Sequence, residues 1–418
     1  MTVADLLRSL LGDDLPVAVV AYDGSRLGPA DARTTLVVRS PDALRRIVTA
    51  PNELGFGRAY VAGDLEVRGD IFDVIEVAEH VEELSVGPKQ ILEALQLVGW
   101  SGLRPLPPPP EEARVRGRRH SRERDAQAIA HHYDVSNDFY RIVLGSTMTY
   151  SCALWCDDTA TLDDAQRAKH ELICAKLDLQ PGMRLLDVGC GWGGMLLHAA
   201  EHHGVEAVGV TLSRPQAEYA TARVEAAGLT AKVEVRHADF RDVDDGPYDA
   251  ISSIGMFEHV GLAELDRYFR RCRRLLRAEG RFVNHGISRP GHSQRMHHRW
   301  FSPPWLGHNF TDRYVFPDGE LHEVGNVVSA IQGAGFEVRH VESLREHYAR
   351  TLRCWVANLE AQWDEAVHLV GEGRARVWRL YMAAAAVGFE HDDNQIHQVL
   401  ATATVDGRSG MPLRPSFT

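Results

Sequence analysis

At 418 residues the chain is too long for one ordinary core, so two domains are the default and three are allowed. Its 44% hydrophobic and 25% charged residues are typical of a globular protein, and a net charge of −12 argues against nucleic acid as the main partner. No apolar run nears the ~18 residues of a membrane span. The acidic start MTVADLLRSLLGDDLP does not read as a signal peptide, and six cysteines without a CxxC pair do not read as a disulfide framework. A cytoplasmic location is expected.

Residues 1–100 read as a small mixed α+β domain. Val17–Tyr22 and Thr35–Arg39 are short apolar strands separated by the turn-rich DGSRLGPADAR, and helices are predicted over Pro41–Thr49 and Ile71–Leu84. Residues 101–125 form a linker, with four consecutive prolines and then, from Arg114 to Arg124, six arginines against one glutamate. That composition reads as a solvated connection, and as a contact for an anionic membrane surface should the substrate be a lipid.

From 126 to 418 the pattern alternates between strand and helix. Strands are predicted at Arg184–Val188, Ala207–Thr211, Val233–His237, Ala250–Ile254 and Arg281–His285, which implies an α/β fold with a parallel sheet and helices on both faces. Ligands in such folds sit beyond the carboxyl ends of the strands.

The run LLDVGCGWGGM (185–195) lies at one of those ends. Gly189, Gly191 and Gly193 allow a tight turn and close approach of the backbone to a nucleotide-like ligand. Gly189, Gly191 and Gly194 also fit the GxGxxG of dinucleotide-binding enzymes. Those enzymes hold the ribose with a carboxylate about twenty residues further on. Here the second strand ends VGVTLS (208–213), with no carboxylate. Asp187 before the turn, together with Asp239 and Phe240 after the third strand, favours S-adenosylmethionine.

Five segments in order, HYDVSNDFY (132–140), MTYSCALW (148–155), LLDVGCGWGG (185–194), VTLSRPQ (210–216) and SIGMFEHVG (253–261), resemble the cyclopropane-fatty-acid synthase and mycolic acid cyclopropane synthase family. The resemblance runs from about residue 126 to about 400. It implies a Rossmann-like S-adenosylmethionine-dependent methyltransferase fold with a smaller N-terminal domain. The implied reaction is alkylation of an isolated double bond in a lipid acyl chain. That reaction passes through a cation-like species, which a base must deprotonate.

In the family that base is a bound bicarbonate. Carried over by motif, its pocket comprises Cys152, Glu258, His285, Ile287 through its backbone, and Tyr348. The implied cofactor contacts are Tyr150, Ser151, Asp187, Gly189, Gly191, Gly193, Thr211, Leu212, Gln216, Asp239 and Phe240. Tyr133, Phe139, Tyr140 and Trp155 are candidates for the acyl channel. Each residue also has an ordinary explanation. Cys152 suits a small core position, Glu258 a helix start, His285 a bonded core histidine and Tyr348 an interior tyrosine.

Residues 288–320 depart from the family pattern and read as a lid-like insertion carrying Trp300, Phe301 and Trp305. No metal role is expected for His292, His297 and His298, whose spacing does not suit a metal site. Expected partners are unsaturated phospholipid acyl chains and the inner membrane surface, with a homodimer allowed and no nucleic acid. The product is expected to be a cyclopropane. A methylene-branched chain or a small-molecule C-methylation stand as alternatives.

Overall fold

The computed structural model describes residues 1–418 except 51, 83–92, 94–95, 100–103, 116, 119–120, 134, 292–308, 318 and 418. Of the anticipated insertion over 288–320, residues 292–308 and 318, including Trp300, Phe301 and Trp305, therefore lie outside the described residues. So does the predicted end of the helix beginning at Ile71. The chain forms two compact units: residues 1–114, 292–317 and 362–387 in one, and 115–291, 318–361 and 388–418 in the other.

The first unit holds a four-stranded sheet of order β2-β1-β3-β4 among the described residues: β1 (Ala18–Ala21), β2 (Arg26–Leu27), β3 (Thr35–Val38) and β4 (Leu65–Arg68). Helix Pro41–Thr49 begins where expected, because the Ser40 side chain caps it and a proline occupies its first turn. Helices Val3–Leu11 and Glu53–Val61 and strand β4 were not anticipated.

Pro105, Pro107, Pro108 and Pro110 of the linker are exposed, as a solvated connection requires, whereas Pro109, Glu112 and Ala113 are buried. Glu112 is buried and paired in two-pronged fashion with Arg58, at 2.8 and 2.9 Å. The Pro107 carbonyl accepts from Arg46 at 3.0 Å. Prolines bring no N–H needing a partner, and the carbonyls of Arg104 and Pro107 accept from Arg45 and Arg46 while that of Pro109 accepts from the Glu112 amide. Residues from much later in the chain complete this unit. Arg376 is buried and donates to the carbonyls of Tyr60 and Leu65, both at 3.0 Å. Phe310 lies so close to Gly57 that a Cβ there would come within 2.2 Å of its ring.

The second unit is built on a seven-stranded sheet of order β10-β11-β9-β8-β5-β6-β7. The strands are β5 (Arg184–Val188), β6 (Glu206–Thr211), β7 (Val233–His237), β8 (Tyr248–Ile254), β9 (Leu276–Ser288), β10 (Glu337–Ser343) and β11 (Gln395–Thr402). The five anticipated strands are parallel. Two unanticipated strands, β10 and β11, join antiparallel beside β9. Central strands are apolar on both faces: Leu185, Leu186 and Val188 are fully buried, each worth about 1.5–3 kcal/mol. Helices Leu162–Leu177 and Gly194–His203 cover one face, and Leu265–Leu275 and Val324–Gly333 the other. Helix Arg122–Tyr133 begins inside the stretch read as linker, and Arg122 is spent on a paired contact with Asp242 at 2.9 Å.

Candidate active site

The glycine run lies where β5 ends and helix Gly194–His203 begins. Gly189, Gly191 and Gly193 have φ of 77°, 54° and 82°, the left-handed region that side chains disfavour. The amides of Gly189 and Cys190 donate to the Val210 carbonyl at 2.9 and 3.0 Å, pinning the turn to β6. Asp187 is buried, with Oδ1 accepting from the Ser252 hydroxyl at 2.6 Å, and burial pushes its carboxyl up to about 6.

At the end of β6, the Thr211 hydroxyl donates to Gln216 at 2.9 Å, and Ser213 caps the helix that follows. The Leu212 carbonyl faces His237 at 3.1 Å. Asp239 lies just past β7 with its carboxylate engaged by Arg241 at 2.7 Å, and the Phe240 ring packs in the core against Tyr268, 5.2 Å away.

Tyr150 stacks on Trp355 at 5.1 Å, within a cluster that includes Tyr133, Tyr140 and Trp192. The Ser151 hydroxyl accepts from the Lys169 ammonium at 2.9 Å. Trp155 lies apart from that cluster. It is held by His347 and Thr351 and packs with Ala153 and Ala165.

The proposed proton-handling residues are tied to the ends of β9 and β11. Glu258 sits in a single helical turn after β8 and is buried. Its Oε1 accepts from the Ile287 amide at 2.6 Å, while Oε2 has no partner among the described residues. Burial pushes its carboxyl up to about 7, against the lowering effect of the Ile287 N–H. The turn can approach β9 because residue 286 is glycine: a Cβ there would lie 1.9 Å from the Phe257 ring.

His285, one residue earlier on β9, is fully buried. Its Nδ1 contacts Gln398 at 2.9 Å and its Nε2 has no partner among the described residues. Burial holds its pKa well below the usual histidine range. The Leu344 carbonyl ties in two more residues, accepting from Cys152 Sγ at 3.6 Å and from the Tyr348 amide at 3.1 Å. The Leu344 amide in turn donates to Ile396, the cross-strand partner of Ile287. The Cys152 thiol is fully buried, and its pKa is raised accordingly.

Sequence reasoning missed the buried lysines beneath this site. Lys169 and Lys176 are fully buried on helix Leu162–Leu177. Burial brings the Lys169 ammonium down to about 7, and it acts electrostatically on Cys152 and Asp187. A signal was present: both lysines fall on the helical stripe of Ala165, Ile173 and Leu177, where a solvated lysine has no place. Away from the site, Cys174, His198 and His203 bring potential ligand atoms within 4.8 Å of one another, but Glu171 already bonds both histidines.

A glycine turn opening a helix at the carboxyl ends of parallel strands, with no carboxylate closing β6, fits an S-adenosylmethionine-dependent methyltransferase, and the similarity to known proteins assigns the chain to that class. Residues 120–399 match the model of the mycolic acid cyclopropane synthetase family. A "Probable fatty acid methyltransferase" of Mycobacterium tuberculosis is 46% identical over 413 residues, covering 96% of this chain and 94% of that protein. The Escherichia coli cyclopropane-fatty-acyl-phospholipid synthase is 33% identical over 390 residues, covering 93% and 91%. A crystal structure of a mycolic acid cyclopropane synthase complexed with S-adenosylhomocysteine superposes with a TM-score of 0.62 at 37% identity, covering 66% of this chain and 98% of that one. The chain belongs to the mycolic acid cyclopropane synthetase family.

Proposed function

We propose that the chain transfers the methyl carbon of S-adenosylmethionine to the cis double bond of an unsaturated phospholipid acyl chain, giving a cyclopropane, with bicarbonate as the base. The observation that carries the reading is Glu258, buried with one oxygen anchored on the Ile287 amide and the other unpaired among the described residues; Ile287 is two positions along β9 from His285, whose Nε2 is likewise unpaired. These two atoms suit a small anion that both accepts and donates hydrogen bonds, as bicarbonate does.

When bound, S-adenosylmethionine supplies an electrophilic methyl: the alkene π pair forms the new C–C bond as the C–S bond breaks, and loss of one methyl proton closes the ring. The chain's residues serve the steps around that event. The start of helix Gly194–His203 offers backbone N–H groups to the cofactor's carboxylate, and the glycines of the turn at Gly189–Gly193 let it approach closely. Tyr150 and Ser151 are proposed to hold the sulfonium region, and Thr211, Leu212 and Gln216 the ribose side, with Asp187, Asp239 and Phe240 completing the cofactor site. Cys152, Ile287 and Tyr348 shape the base pocket, and the unpaired oxygen of Glu258 takes on the proton removed by bicarbonate. The aromatic cluster around Tyr150 excludes water and faces positive charge with ring π surfaces. Among the described residues no helix is long and apolar enough to cross a membrane, so access to lipid would be from the membrane surface.

A second product, a methylene-branched chain, stands as the alternative; the 46%-identical relative is named a probable fatty acid methyltransferase, a name that specifies neither product. Both products add one CH2, so proton NMR of oleoyl phospholipid incubated with protein and S-adenosylmethionine separates them. Upfield ring protons identify the cyclopropane and vinylidene protons the branch. Failure to consume S-adenosylmethionine with any unsaturated lipid would sink both.

A further inference from the structure

His285, Gln398 and Glu342 lie in one row across three neighbouring strands: Gln398 is opposite His285 in the β11–β9 pairing and opposite Glu342 in the β10–β11 pairing. Directly opposed side chains meet on one face of a sheet. Above this row, the Lys176 Nζ donates to Gln398 Oε1 at 2.7 Å and also to the Glu342 carboxylate. Lys176 and Gln398 are fully buried, so water does not compete for the bond between them.

The row has a directional logic. An ammonium is a donor only, so the Gln398 oxygen must face Lys176 and its NH2 must face His285. That NH2 donates to His285 Nδ1 at 2.9 Å, which leaves Nδ1 without a proton and places the ring's proton on Nε2, the atom with no partner among the described residues. Glu342 favours the ammonium form of Lys176 against the lowering effect of burial. Lys169, Lys176 and His397 all face His285 electrostatically and disfavour a second proton on the ring.

We propose that Gln398, oriented by Lys176 and Glu342, is a positioning residue that fixes His285 as the neutral Nε2–H tautomer, making it a permanent donor toward the anion in the base pocket. The proposal rests on the bicarbonate reading for the identity of that anion but not for the tautomer. The row gives an anion site that carries no formal charge of its own on the contacting ring. A ligand could then be held as an acceptor without its base strength being quenched by an adjacent imidazolium.

The test is nitrogen NMR of the full-length protein labelled in its histidines, with His285→Asn identifying the His285 signals. The expected wild-type spectrum shows a protonated Nε2 and an unprotonated Nδ1. Gln398→Glu, which accepts instead of donating, is expected to place a proton on Nδ1. It should lower kcat at least tenfold while changing S-adenosylmethionine affinity less than twofold. A wild-type spectrum with the proton on Nδ1 overturns the proposal even if the variants do not fold. So does a wild-type tautomer retained in a folded Gln398→Glu protein. The expected spectra combined with turnover indifferent to bicarbonate would support the row and remove bicarbonate as the anion.

Discussion

Cys152 and Tyr348 are fastened to a single atom, the Leu344 carbonyl oxygen, by a thiol at 3.6 Å and an amide at 3.1 Å. The segment before β5 is thereby locked to the start of helix Arg345–Ala361, which carries Tyr348. Cys152 Sγ also reaches the Ala153 carbonyl at 3.2 Å. Burial keeps the thiol protonated, so it acts here as a weak donor and not as a nucleophile.

Cys152→Ala separates packing from pocket chemistry. Loss of one buried sulfur and its weak hydrogen bonds should cost about 1 kcal/mol of stability. Turnover is expected to fall at least tenfold, with Cys152→Ser recovering part of it. Near-native turnover in the alanine variant would reduce Cys152 to a core residue.

Glu258→Gln should lower kcat about 10²–10⁴-fold, the usual range for a lost proton-transfer group, with cofactor affinity by calorimetry little changed. Its stability should move the other way. The folded carboxyl is raised from 4.5 to about 7, so the folded state binds the proton more tightly than the unfolded chain. This contribution is complete below pH 4.5 and is lost as pH rises through about 7. At pH 8 the glutamine variant should therefore melt above the wild type, by about 1–3 kcal/mol, and that gain should shrink towards pH 5. Equal melting at both pH values would show that the Glu258 charge is not buried.

Gly286→Ala forces a Cβ to within 1.9 Å of the Phe257 ring, and overpacking of this kind costs about 1–3 kcal/mol. The displaced Phe257 turn carries Glu258 with it, so activity should fall further than stability predicts. Adding Phe257→Leu should recover part of both. A double variant no better than the single one would place the defect elsewhere.

In the first unit, Arg58→Met leaves the Glu112 carboxylate buried at 7% side-chain exposure without its main partner, at an expected cost of about 3–5 kcal/mol. Adding Glu112→Leu removes the stranded charge. The double variant should denature at higher urea than the Arg58→Met single, and the reverse order would mean that Glu112 is solvated.

What could be read from the sequence follows how local the cause is. Strands β5 and β7 and helix Pro41–Thr49 have the predicted ends, because apolar runs, Ser40 and Pro41 mark them within a few residues. Strands β10 and β11 escaped notice because polar residues alternate through EVRHVES and QIHQVLAT, and only pairing beside β9 makes them strands. The site divides in the same way. Cys152 and Glu258 stand in compact motifs that mark them, and His285 ends a strand that the sequence marks. Gln398 lies 113 residues from His285, and only sheet register brings the two face to face.

The interleaving of the first unit constrains how the protein is made. When residues 1–114 have left the ribosome, Phe310 and Arg376 do not yet exist, so the ring against Gly57 and the guanidinium between Tyr60 and Leu65 are both missing. Chains emerge N-terminus first at about 5–20 residues per second. The earliest segment synthesised must therefore wait through most of translation before it can close, with its apolar face open to chaperones in the meantime.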